Sequence, residues 1–224
     1  MVNERRGLPF TISNLPFTID MNHPTITNEE MLARVVRYPD AYTKETAVPM
    51  MFIDSILPGH QRLNYAVAGD TAAENPDYNV LLPQPHKFQL GMFRPLPNAG
   101  PAYHTHDYVE VFFPLEGEWR FYWGNDPEGE PDGEVFLSKW DLISFPPGLW
   151  RGFEVVSDEP AWCFAVLEQH TVFEGKDPYW SPKVVRQARE QGFESDENGR
   201  MIKPPNFAKI NEEILDKVYS AKPL

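Results

Sequence analysis

Two histidines one residue apart, followed four residues later by a glutamate, are the chemically loaded part of this chain: His104, His106 and Glu110 in Tyr103-His104-Thr-His106-Asp-Tyr108-Val-Glu110. Two neutral imidazoles and one carboxylate form a ligand set for a divalent transition metal that keeps open positions for a substrate. A lone histidine in a core is usually structural. A pair at this spacing beside a glutamate is expected to hold a metal.

Geometry constrains how they can do so. Side chains alternate along a strand, so His104, His106 and Glu110 share one face. Four extended residues nevertheless span about 13 Å at roughly 3.3 Å each. A metal bonded at about 2.0–2.2 Å cannot gather groups so far apart. The chain must bend between His106 and Glu110, and Asp107, with its turn tendency, is the expected place.

The elements that position these residues read as short strands. From Val80 to His170 the chain offers Phe88–Phe93, Val109–Pro114, Trp119–Trp123, Val135–Leu137, Asp141–Phe145, Gly152–Val156 and Trp162–Leu167, separated by turn signals. Such a series predicts an all-β sandwich or barrel. Val109–Pro114 and Trp119–Trp123 flank Glu116-Gly117 and predict a hairpin. Upstream, Met50–Leu57 and Leu63–Ala68 read as extra strands. Residues 1–26 show no period and read as an extended arm. Thr27 and Glu30 form a capping box, with Ile26 stapling to Met31, for a helix ending near Tyr38-Pro39. In the tail, Ser181 caps, Pro182 takes the first helical position and Gly192 stops a helix. Asn211 caps a last one carrying Ile214, Leu215 and Val218. The expected division is 1–79 (arm, helix and extra strands), 80–172 (barrel) and 173–224 (helical tail).

Composition agrees. The 224 residues are 42% hydrophobic, enough for one sizeable core, and 23 prolines discourage long helices. A net charge of −13 argues against nucleic acid and anionic membrane as partners. Cys163 is the one cysteine, which excludes an intrachain disulfide, and its apolar surroundings predict a buried, inert thiol. The first residues lack the apolar stretch of a signal peptide and no run is long enough to span a membrane, so the cytoplasm is the expected location.

The His-x-His, Glu and Gly at His104, His106, Glu110 and Gly117 resemble the first motif of the cupin superfamily. Trp140-Asp141-Leu-Ile-Ser-Phe-Pro146-Pro-Gly148-Leu-Trp-Arg151 resembles the second in its Asp, Pro and Gly, but Arg151 stands where the family's third histidine ligand would be. The resemblance covers roughly residues 80–170. It implies an antiparallel, jelly-roll β-barrel with a metal held by His104, His106 and Glu110, and a homodimer exchanging N-terminal arms.

Arg151 alters the electrostatics. A guanidinium about 6 Å from a divalent ion is repelled by roughly 5 kcal/mol at an effective dielectric near 20. It can turn away, clamp an anionic substrate beside the metal, or pair with Glu110 and leave the barrel without metal; the clamp is the leading expectation. The pocket wall is expected from Tyr103, Phe112 and Phe153, with Trp150 nearby, His86 at the rim and the Tyr108 hydroxyl donating to a bound oxygen. Arg151 and Tyr108 are thus the candidate catalytic residues. His23, His60 and His170 are expected to be structural or to face water.

Three functions compete. The first is an iron(II) dioxygenase acting on a small anionic aromatic or enolic compound. The second is an isomerase or lyase using zinc, manganese or nickel as a Lewis acid. The third is a small-molecule-binding barrel without a catalytic metal.

Overall fold

Two five-stranded sheets carry the fold, and every strand pairing in them is antiparallel. A computed structural model of the chain describes residues 26–69, 73–168, 177–197 and 199–221. The strands are β1 (Arg62–Ala68), β2 (Phe88–Pro95), β3 (His104–Thr105), β4 (Glu110–Pro114), β5 (Glu118–Gly124), β6 (Gly133–Ser138), β7 (Ile143–Phe145), β8 (Trp150–Val155), β9 (Cys163–Glu168) and β10 (Tyr179–Trp180). One sheet runs β1-β2-β9-β4-β7, the other β10-β3-β8-β5-β6. This is the all-β, cupin-type barrel architecture the strand pattern and motifs imply. Both sheets take in strands from outside 80–172: β1 on one side and β10 on the other.

The inward faces follow strand parity. In β4, Glu110, Phe112 and Pro114 are buried while Val111 and Phe113 are less so; in β8, Arg151, Phe153 and Val155 point inside. Phe112 of one sheet meets Phe153 of the other with ring centroids 4.6 Å apart. Trp119, Phe121 and Phe145 extend the same apolar cluster, and Cys163 is fully buried within it. Burial raises the Cys163 thiol well above its usual value, as expected of an inert thiol.

Four helices accompany the sheets among the described residues: α1 (Asn28–Leu32), α2 (Phe52–Ile56), α3 (Pro182–Glu190) and α4 (Phe207–Ala221). None is long and apolar enough to cross a membrane. The contacts divide the chain into Met1–Ala33 and Arg34–Leu224. In the first unit the Thr27/Glu30 capping box forms, but α1 ends at Leu32 instead of running to Tyr38. Ile26, Met31 and Leu32 are exposed, and a short helix without a buried apolar face has little to sustain it.

Elsewhere the structure departs from expectation in instructive ways. Met50–Leu57 contains helix α2 rather than a strand, since a short apolar run has no decisive period. Strands β4 and β5 do not form a hairpin: β4 pairs with β7 and β9, β5 with β6 and β8. The Glu116-Gly117 connection instead crosses between the sheets, and Gly117 adopts φ +67° there. In α3, Ser181 Oγ accepts the Val184 N–H, as expected. Helix α4 starts at Phe207, placing Asn211 inside it; buried Phe207 anchors the added turn. The expected arm over 1–26, apart from its last residue, lies outside the described residues, as do His23 and His170.

Candidate metal centre

The bend falls where distance requires it. Strand β3 ends at Thr105 and β4 begins at Glu110, in the other sheet, with bends at Asp107 and Tyr108 between them. His104 lies between Arg151 on β8 and Trp180 on β10, its neighbours in register. The loop after it returns Glu110 toward the two imidazoles. His104, His106 and Glu110 are all buried, and each offers a ligand atom within 4.8 Å of the others. His106 Nε2 lies 3.5 Å from Glu110 Oε2.

The rings are held by their far nitrogens. His104 Nδ1 is 2.6 Å from the Ala102 carbonyl oxygen, so Nδ1–H donates and Nε2 keeps its lone pair. His106 Nδ1 is 2.5 Å from Asp177 Oδ1, the carboxylate partner that often orients a metal-binding imidazole. The Tyr108 hydroxyl donates to Asp177 Oδ2, and the Tyr108 ring stacks on His106 at 4.8 Å. Burial above all, then the proximity of the His106 ring and the Arg151 guanidinium, holds the His104 imidazole well below its usual pKa, so it stays neutral. Burial and the facing Asp177 raise the Tyr108 phenol, which stays protonated and able to donate.

This donor set fits a cation. Two imidazole lone pairs and a carboxylate converge, and adjacent ligands on a metal at about 2.1 Å stand about 3.0 Å apart in octahedral and about 3.4 Å apart in tetrahedral geometry. The 3.5 Å between His106 and Glu110 is close to that spacing. Among the described residues this is the one His/Cys/Asp/Glu cluster with such convergence.

A cavity of about 100 Å³ opens against the three residues. Phe112 and Phe153 line it, as the sequence predicts, and so do Asp54, Arg62 and Asn64, which no sequence motif marks. The other predicted wall residues are placed differently. Arg151 is fully buried and donates from Nη2 to Glu110 Oε2 at 2.8 Å, behind the cavity rather than lining it. Arg151 thus pairs with Glu110, as in the first part of the third outcome open to it, and does not reach into the cavity as the expected substrate clamp. Tyr108 does not line the cavity, and its hydroxyl donates to Asp177 Oδ2. Tyr103 stacks on Tyr122 and lines a separate cavity with His60 and Arg120. Trp150 packs on Tyr103, with centroids 6.0 Å apart. His86 lines a third cavity with Leu82 and Gln84. His60 does not simply face water: its Nδ1 lies 2.6 Å from the Gly100 carbonyl oxygen, and burial lowers its pKa to about 4.

A single guanidinium organises part of the cavity wall. Arg62 donates from Nη2 to Asp54 Oδ2 at 2.5 Å and from Nε to Asn64 Oδ1 at 3.0 Å. Burial pushes Asp54 up to about 7; the Arg62 charge opposes this and Glu74 adds to it. A lone carboxylate inside the apolar run Met50–Leu57 was the available signal for Asp54. Asp177 had none, because it reaches the site from 71 residues beyond His106.

Residues 91–167 match the sequence model of the cupin domain. Solved structures with a similar fold include a cupin 2 conserved barrel domain protein from Rhodopseudomonas palustris, at 12% identity over 58% of this chain and 73% of that one, TM-score 0.39. A sugar phosphate isomerase of the cupin superfamily from Silicibacter pomeroyi matches at 16% identity over 55% and 67%, TM-score 0.39. A protein from Bacillus halodurans matches at 14% identity over 37% and 64%, TM-score 0.35, so the chain spans just under two thirds of that protein's length. No curated protein matches the chain.

Proposed function

This chain belongs to the cupin superfamily, and from that premise we propose that it is a metal-dependent enzyme, an iron(II) dioxygenase acting on a compact, anionic, enolic or aromatic compound. One observation carries the reading: the outer nitrogens of His104 and His106 are tied to Ala102 and Asp177, so both inner nitrogens present lone pairs toward Glu110. His104, His106 and Glu110 would hold the ion. Bound there, iron(II) would supply electrons to dioxygen and a Lewis acid to an enolate oxygen.

The remaining residues define what can enter. Phe112 and Phe153 give the cavity dry walls, and the Arg62–Asp54 ion pair with Asn64 gives it a polar patch without net charge. The cavity volume of about 100 Å³ is below the roughly 150 Å³ that accommodates benzene in an engineered cavity. Size therefore favours the enolic end of the substrate class. Iron analysis of anaerobically purified protein, followed by oxygen uptake with β-diketones, catechols and salicylates, tests the proposal. Stoichiometric iron and uptake with a β-diketone are expected. Iron-loaded protein that consumes no oxygen with any of them sinks the dioxygenase. Activity surviving replacement of iron by zinc points to a lyase or isomerase.

A second reading is favoured by the Arg151–Glu110 bond, which already neutralises the carboxylate. On that reading the barrel binds a small molecule without metal. Protein that takes up no divalent ion at any pH from 6 to 8 would favour it.

A further inference from the structure

Arg62 and Asn64 lie two residues apart on β1 and so share a face, while Asp54 comes from α2. The Nε and Nη2 groups of Arg62 form one edge of its fork, which holds Asn64 Oδ1 and Asp54 Oδ2 side by side. Both side chains are thereby oriented with one polar atom left over. Asp54 Oδ1 and Asn64 Nδ2 have no hydrogen-bond partner among the described residues. Both side chains are buried, Asp54 at 0% exposure and Asn64 at 5%, and both line the cavity that His104, His106 and Glu110 also line. A buried acceptor and a buried donor left without partners are costly, and a ligand that satisfies both is recognised strongly.

We propose that Asp54 and Asn64 form the specificity pair of this site, and that its ligand is a compact carboxylate bearing a hydroxyl or enol group. The hydroxyl donates its proton to Asp54 Oδ1 and accepts the Asn64 Nδ2–H. A ketone cannot do both, since its oxygen only accepts and would face the lone pairs of Asp54. The Asp54–Arg62 pair is neutral overall, so it selects the hydroxyl rather than the anionic charge. Burial raises the Asp54 carboxyl to about 7 against the opposing Arg62 charge, so the preference for a donor hydroxyl holds above that pH, where Asp54 is ionised. This inference rests on the reading of the cavity as a substrate site, whether or not a metal is bound there.

Lactate and pyruvate, nearly equal in volume and charge, are the probes. Their affinities are measured by calorimetry on the full chain, once loaded with zinc and once stripped with EDTA. Wild-type protein is expected to bind D,L-lactate at least tenfold more tightly than pyruvate. Asp54→Asn replaces the acceptor by a donor and should reverse that order. Asn64→Asp keeps the bond to Arg62 but removes the donor, and should weaken lactate at least tenfold; circular dichroism reports whether each variant is folded. Equal affinities in the wild type, binding of neither probe, or an unchanged order in folded Asp54→Asn together with undiminished lactate binding by folded Asn64→Asp would overturn the proposal. A preference that persists in protein unable to take up metal leaves this pair standing and removes the metal reading. Metal uptake without a preference does the reverse.

Discussion

Arg151 Nη2 sits 2.8 Å from Glu110 Oε2, inside the barrel, with Arg151 fully buried. The same carboxylate is therefore claimed by a guanidinium and, in the proposed site, by a metal. The two cations compete for one anion at close range.

Replacing Arg151 by methionine should expose that competition. In metal-free protein Glu110 loses its partner, and breaking a buried pair costs about 3–5 kcal/mol. With zinc present the ion takes the partner's place and the repulsion disappears. The rise in melting temperature on adding zinc should be larger for Arg151→Met than for the wild type. Thermal melts with and without zinc check it; an equal rise in both would show that the arginine leaves the ion undisturbed.

Asp177 fixes the tautomer of His106. Asp177→Asn removes the charge that makes this imidazole a strong ligand, and metal affinity should fall about 10–100-fold. Tyr108→Phe leaves the Asp177–His106 bond in place and should cost less. Competition with a chromophoric zinc chelator gives both numbers, and a larger loss for Tyr108→Phe would reverse the assigned roles.

Acid should destabilise the protein through His60. Burial lowers its pKa from 6.5 to about 4 in the folded chain. Between these values the unfolded state binds a proton that the folded state refuses. This contribution is therefore fully present above pH 6.5 and is lost as pH falls toward 4, a total of roughly 3 kcal/mol. Urea midpoints measured from pH 4.5 to 7.5 should show a shallower slope in His60→Gln than in the wild type. Parallel slopes would mean that His60 titrates normally in the fold.

Gly100 packs its backbone against β8, and a Cβ there would lie 1.6 Å from the Phe153 carbonyl oxygen. Backbone cannot yield cheaply, so Gly100→Ala should cost at least about 3 kcal/mol. It should also loosen the strand that carries Arg151. Denaturant unfolding measures the loss, and a variant as stable as the wild type would contradict the close approach.

What could be read from the sequence was local. His104, His106 and Glu110 fall within seven residues, and strand spacing alone demanded the break near Asp107. The inward parity of Phe112, Arg151 and Phe153 followed from alternation. The destination of the Arg151 side chain did not, because a buried guanidinium can answer a carboxylate or a substrate equally well. Asp54, Arg62 and Asn64 stayed hidden since their meaning lies in a shared hydrogen-bonded fork between α2 and β1. Gly117 misled because the same turn residues serve a hairpin and a crossing between sheets.

That crossing has a mechanical side. His104 hangs from one sheet and Glu110 from the other. An ion gripping both would act as a rivet through the two layers, so any motion that parts the layers must also let go of the ion. Cohesion of the barrel and capture of the cation would then be a single event, felt together in every amide that exchanges slowly along β3 and β4.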